Sequence, residues 1–144
     1  MSKGSKTRVA VIGGTGDLGL GLAMRLAEAY PVTIGSRDLA RAAAAAAKAS
    51  TVSGARVGAK TNVEAAQECD IAILAVPELP SPDLLASLAP SLMEKLVISP
   101  IVPMLFKDGV FSLSSSGESA AERVSQSRSA RRRWRYFRKN CQAT

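Results

Sequence analysis

The sequence has 144 residues, enough for one domain with a real core. Hydrophobic residues make up 47% and aromatics only 4%; with no histidine and just two cysteines, Cys69 and Cys141, the composition argues against a histidine general base, a metal site and a disulfide framework. The formal charge of +7 is uneven, because residues 1–122 carry 11 Lys and Arg against 12 Asp and Glu while residues 123–144 carry 8 against none, so the basic balance belongs to a tail.

Met1 to Lys6 is short and polar with no apolar stretch behind it, so no signal peptide is read. No apolar run approaches a membrane span, and the expected compartment is the cytoplasm. A first strand is expected over about Arg8 to Ile12, its unbroken apolar character suiting a central parallel strand. The glycine-rich stretch Gly13-Gly14-Thr15-Gly16-Asp17-Leu18-Gly19 follows. A helix is then expected from about Asp17 to Ala29, with Leu18, Leu22, Leu26 and Ala29 on one face. After Pro31 comes a second strand, Val32-Thr33-Ile34, ended by Gly35-Ser36-Arg37. The alanine run Ala42 to Ala47 predicts a slim second helix over about Leu39 to Ala49, capped by Asp38 or Ser36. Val57 to Ala59 reads as a third strand. Thr61 and Glu64 have the spacing of a capping box and open a short helix to Glu68. Ile71 to Val76 reads as a fourth strand, stopped by Pro77. Ser81 and Pro82 start a further helix carrying Leu84, Leu85, Leu88 and Leu92. Leu96 to Ser99 is a fifth strand, followed by Pro100 to Pro103. Gly109 falls in a turn before the apolar stretch Val110 to Leu113, and a helix is expected near Glu118. The order βαβαβαβαβ predicts an α/β fold, a Rossmann-like doubly wound parallel sheet.

Strand, glycine turn and helix in that order describe a dinucleotide-binding site, with a glycine turn in some other α/β protein as the bland alternative. Gly14 is expected to permit the sharp turn out of the strand. Gly16, with no side chain, lets the backbone approach a pyrophosphate, and Gly19 lets the helix pack close to the sheet. The helix N-terminus offers N–H groups and a partial positive charge to the phosphates. The end of the second strand then chooses the cofactor. An acid there accepts from the ribose hydroxyls of NAD, whereas a cation accommodates the 2′-phosphate of NADP. Ser36 offers a hydroxyl, Arg37 a charged fork, and Arg41 a second charge one helical turn on. These favour NADP. The alternatives are that both arginines are solvated surface charges and that Asp38 serves a ribose rather than a helix cap. Val76-Pro77 and Ser99 to Val102 fall at carboxyl ends of strands, where open α/β sheets bind ligands, although both prolines could merely end strands.

The run Arg8 to Gly19, together with Ile34-Gly35-Ser36-Arg37, Cys69 to Leu74, Val97 to Pro103 and Ser119 to Glu122, resembles the NADPH-dependent coenzyme F420 reductases, or F420H2:NADP oxidoreductases. The resemblance covers about residues 8–124. It implies reversible hydride transfer between NADP(H) and the deazaflavin of coenzyme F420, the co-substrate. By similarity, Thr15, Gly16, Asp17 and Leu18 contact the pyrophosphate region, and Ser36, Arg37 and Arg41 match 2′-phosphate contacts. Val76, Val102 and Met104 match positions lining the nicotinamide side. Asp17 departs from the asparagine of one family member, and a carboxylate there weakens the position unless it points away. No catalytic residue is named, because both reactants carry their own redox chemistry and the protein need only hold two carbons together and exclude water.

The resemblance also implies a homodimer. Members continue with an apolar strand and a helical region serving the deazaflavin site and the dimer, and that part is expected to be truncated here. The expected organisation is an NADP-binding domain over residues 1–124 and a basic tail over 125–144, disordered or out of frame. Arginine dominates the tail, and its helical pattern stops at Val124 without a cap. Trp134 to Lys139 can be written TGG CGG TAT TTC AGA AAA, which two bases later reads Ala-Val-Phe-Gln-Lys, an apolar strand end. Two other functions compete with the reductase or a different NADP-dependent dehydrogenase. One is a non-catalytic module that binds or senses NADPH. The other is a nucleic-acid arm using Trp134, Tyr136 and Phe137 as stacking residues; nucleic acid is not the expected partner.

Overall fold

The computed structural model describes residues 6–76, 81–102 and 104–113. Its centre is β1 (Val9–Ile12), in which all four residues are buried. Successive side chains of a strand point to opposite faces, so β1 feeds two cores. Val9 and Val11 face one, Ala10 and Ile12 the other. That is why a four-residue apolar run with no polar alternation belongs in the middle of a parallel sheet.

The sheet has the order β3-β2-β1-β4-β5, all parallel, with β2 at Val32–Ser36, β3 at Val57–Thr61, β4 at Ile71–Leu74 and β5 at Leu96–Ile98. Helices α1 (Asp17–Leu26) and α2 (Leu39–Ser53) cover one face; α3 (Asn62–Glu68) and α4 (Pro82–Leu92) cover the other. The βαβ order and the doubly wound sheet are as the sequence predicts.

The buried face of α1 differs from expectation. Leu18 is 54% exposed and Ala29 lies beyond the helix, while Gly19, Ala23 and Ala27 are buried. Small residues at i, i+4 and i+8 let the helix axis approach the sheet, and Leu20, Leu22, Met24 and Leu26 pack along the flanks. In α2 the alanine run buries Ala42, Ala45, Ala46 and Ala49 at helical spacing. The helix runs past Ala49 to Ser53, where Gly54 ends it at φ +67°.

Caps fix where three helices start. The Asp38 carboxylate accepts from the Ala40 and Arg41 N–H groups at 2.8 and 3.2 Å. Thr61 and Glu64 complete the capping box, and the Ser81 hydroxyl accepts from Leu84 N at 3.2 Å. The open end of α3 is closed from a distance, because the Lys95 ammonium donates to the Ala66 and Gln67 carbonyls at 2.6 and 2.7 Å.

Beyond β5, Met104–Lys107 (β6) pairs antiparallel with Val110–Leu113 (β7) as a separate two-stranded sheet, an element the sequence reading did not expect as a hairpin. Its turn is Asp108-Gly109, at φ +52° and +79°. Positive φ at both central positions suits a two-residue turn that matches strand twist. Phe106 and Phe111 stand opposite, ring centroids 4.6 Å apart. The helix expected near Glu118 and the basic tail lie outside the described residues.

At the amino ends of the strands, Arg8 and Asp70 tie β1 to β4. Arg8 Nε and one terminal nitrogen donate to the two Asp70 oxygens at 3.2 and 3.0 Å, and Arg8 N donates at 2.8 Å. These hydrogen bonds lower the Asp70 carboxyl from 3.8 to about 2. A depressed carboxyl contributes stability that is complete above its ordinary value and is lost as pH falls through the folded value. Wild-type stability should therefore gain an acid-sensitive component between 3.8 and about 2 that Asp70→Asn lacks. Urea midpoints measured across that interval check it; parallel pH profiles would refute it.

Candidate functional site: a dinucleotide cleft

The strand order reverses between β1 and β4, so the loops leaving these strands diverge at their carboxyl ends. A cleft of about 870 Å³ opens there.

Its floor is the turn from β1 into α1. The left-handed residue is Gly13, at φ +71°, while a Cβ on Gly14 would stand 2.9 Å from Val11 O, so the turn needs a glycine at both positions. A Cβ on Gly13 would also meet Val76 Cγ1 at 2.6 Å, so the chain leaving β4 lies directly on the turn. Gly14 is buried, and its N–H donates to Gly35 O at 3.1 Å, tying the turn to β2. A Cβ on Gly19 would stand 2.5 Å from Gly14 Cα. The close approach at Gly19 is therefore to the turn's own backbone, which sets the start of α1 onto it. A Cβ on Gly16 would meet nothing within 4 Å, and that side of the loop faces the open cleft.

Helix α1 begins differently from α2, α3 and α4. Its N-cap is Gly16, with no side-chain hydrogen bond to the first turn. The first N–H groups of a helix need partners and carry the positive end of its dipole, which makes them suited to an anion. Thr15, Gly16, Asp17, Leu18 and Gly19 line the cleft at this end. The exposure of Leu18 thus has a local reason, since it forms cleft wall and not core.

The opposite wall is the end of β2. Ser36 is 6% exposed, and its hydroxyl accepts from Asp38 N at 3.2 Å. Arg37 and Arg41 line the cleft with Asp38 between them. Among the described residues neither guanidinium has an ion-pair partner. The Asp38 Oδ1 caps its own helix, accepting from the Ala40 and Arg41 N–H groups, whereas the guanidinium donors of Arg37 and Arg41 have no partner among the described residues.

The remaining expected residues divide. Val76 lines the cleft; Ser99 and Val102 do not. Pro77 lies outside the described residues, and Met104 opens β6. Ser99, at the carboxyl end of β5, has an Oγ sealed from solvent with no hydrogen-bond partner among the described residues. A buried hydroxyl left unpaired is costly, so Ser99→Ala is expected to stabilise the ligand-free chain by about 1 kcal/mol in urea unfolding. Destabilisation of that size would show that the hydroxyl is satisfied.

Sequence reasoning missed Asn62. It is buried, lines the cleft, and its Oδ1 accepts from Gly13 N at 3.2 Å. The available signal was a polar residue at the first position of a helix already capped by Thr61.

Residues 8–103 match the family model of coenzyme F420-dependent NADP oxidoreductases. The chain belongs to this family. It is 44% identical over 101 residues to the F420-dependent NADP reductase of Methanothermobacter marburgensis, covering 67% of this chain and 45% of that protein. The Methanocaldococcus jannaschii protein of the same name is 38% identical over 103 residues, covering 67% and 46%. The chain thus spans about half the length of the curated relatives it matches. Among solved structures, a protein from Arthrobacter sp. FB24 described as F420-dependent NADP-reductase superposes with a TM-score of 0.66 at 20% identity, over 85% of this chain and 57% of that one. Cryptosporidium parvum lactate dehydrogenase superposes with a TM-score of 0.55 at 18% identity, over 69% and 38%. Likeness at that identity speaks for the fold. Among the described residues no helix is long and apolar enough to cross a membrane.

Proposed function

We propose that the cleft binds NADP(H) and that the family's hydride transfer with coenzyme F420 is the reaction this site serves. The observation that carries the reading is the pair Arg37 and Arg41, without ion-pair partners among the described residues, lining the same cleft as the uncapped start of α1. A dinucleotide with a 2′-phosphate needs anion partners at both places. In this reading the first-turn N–H groups of α1, with Gly14, Thr15, Gly16, Asp17, Leu18 and Gly19 shaping the approach, take the pyrophosphate. Ser36, Arg37 and Arg41 take the 2′-phosphate. Val76, Pro77, Ser99, Val102 and Met104 attend the nicotinamide side.

The cofactors supply the redox step, in which a hydride passes from NADPH to oxidised F420 and a proton from solvent completes the reduced deazaflavin, or the reverse. The chain binds, orients and excludes water, so no acid or base of its own is required. The proposed compartment is the cytoplasm, from the absence of a signal-peptide pattern or membrane-length apolar run in the sequence, and the proposed assembly is a homodimer, carried over from the family resemblance. The proposed organisation remains a dinucleotide domain over residues 1–124 followed by a basic segment over 125–144.

A second reading is binding without turnover. The matches run over 101 and 103 residues, 45% and 46% of those reductases, and whether residues 1–144 alone turn over is what the next experiment decides. Mixing the 144-residue chain with NADPH and oxidised F420 and following deazaflavin absorbance separates the two. NADPH-dependent bleaching supports the reductase reading. Saturable NADPH binding with no bleaching supports the second, and no binding refutes both.

A further inference from the structure

Asn62 stands where helix α3 begins, yet the helix does not use it as a cap. The Thr61 hydroxyl accepts from Glu64 N at 3.3 Å, and Glu64 Oε2 accepts from Thr61 N at 3.0 Å. The Asn62 side chain is thereby released for another use while being only 6% exposed. Polar groups at that depth are normally fully hydrogen-bonded.

One half of the amide is engaged. A backbone N–H can only donate, so the 3.2 Å contact from Gly13 N assigns the accepting atom as Oδ1 and leaves Nδ2 as the other. The same oxygen lies over β2, where a Cβ on Gly35 would come within 2.9 Å of it. Asn62 is therefore wedged between the glycine turn and β2. Its Nδ2 carries two donors and meets no acceptor among the described residues. Nor is Nδ2 sealed off, because Ser99 Oγ is the one sealed, unpartnered side-chain atom among those residues. A side chain more than nine-tenths buried thus presents free donors to the cleft it lines.

We propose that Asn62 is a two-sided residue of this site: Oδ1 holds the glycine turn in shape, and Nδ2 donates to a ribose or phosphate oxygen in the adenosine half of the bound dinucleotide. The adenosine half is indicated because Asn62 touches Gly13 and stands over Gly35, between the pyrophosphate end and the β2 end of the cleft. The inference rests on the NADP reading above. A donor held by a backbone contact costs little to order when ligand arrives.

The test uses the full 144-residue chain labelled with nitrogen-15. The Asn62 side-chain NH2 pair is identified by its disappearance in Asn62→Asp. Both NADPH and adenosine 2′,5′-bisphosphate should move that pair at saturation. Asn62→Asp keeps an acceptor for Gly13 N–H and removes the donors, so it should weaken NADPH binding roughly tenfold or more while leaving Gly13 amide exchange protected. Asn62→Ala should lose both. If the ligands saturate the Arg37 signals and leave the Asn62 pair unmoved, the inference is overturned and the NADP reading stands. If only NADPH moves the pair, the adenosine assignment is overturned. If neither ligand binds the wild-type chain, both readings fail together.

Discussion

Arg37→Ala should weaken NADPH binding by about 1.5–3 kcal/mol, roughly ten- to 150-fold, while leaving NADH affinity where it was. The asymmetry follows from the geometry. Both dinucleotides carry the pyrophosphate proposed for the start of α1, and only NADPH carries the 2′-phosphate proposed for the end of β2. Arg41 projects from the first turn of α2 into the same cleft, so the double replacement Arg37→Ala/Arg41→Ala should lose more than either alone and bring the two affinities together. The Asp38 carboxylate stays with its own helix cap in all these variants. Calorimetric titrations of wild type and variants with each cofactor measure the effect. Parallel losses for NADH and NADPH would show that the arginines act on the fold and not on the phosphate.

Gly19→Ala is the second large effect, and it has an internal control two residues on. The added Cβ at Gly19 would stand 2.5 Å from Gly14 Cα and 2.9 Å from Gly14 C. Those atoms belong to a turn held from three sides, by Asn62, by Gly35 and by the Val76 side chain. Backbone so held cannot yield as a flexible side chain would, and overpacking of this kind costs about 1–3 kcal/mol. It should also raise the dissociation constant for NADPH by displacing the loop that receives the pyrophosphate. Gly21 lies in the same helix, exposed, with open space around its missing Cβ. Gly21→Ala should stabilise by about 0.4–1 kcal/mol through the unfolded chain. Opposite signs in urea unfolding support the packing described here. Equal effects would mean that only helix propensity was being measured.

What could be read from the sequence divides along a physical line. Features with a local cause were legible. The apolar run of β1, the Thr61–Glu64 capping box, Pro82 at the start of α4 and the glycine stretch each declare their structure within a few residues. So does the end of β2, because charged residues following a strand need no distant partner to be noticed. Features caused by distant partners were not. The left-handed position is Gly13 because Val76 and Asn62 press on it from elsewhere in the chain. Asn62 looked like the interior of a capping box, since its partner lies 49 positions away. The inward face of α1 is legible only in part for the same reason. Of the leucine stripe, Leu22 and Leu26 pack partly buried against the core, yet the sheet lies so close that the fully buried positions are Gly19, Ala23 and Ala27, and Leu18 is turned to the cleft. The β6–β7 hairpin is the exception, because its Asp108-Gly109 turn was a local signal and its weight was missed.

The proposed function requires the cleft to be a site for a 2′-phosphorylated dinucleotide. Calorimetric titration of the 144-residue chain with NADPH and with NADH, at one fixed salt concentration, tests that most directly. Saturable binding of both is expected, with NADPH tighter by at least about tenfold, the size expected for a charge-assisted phosphate contact. Equal affinities, or tighter binding of NADH, would contradict it.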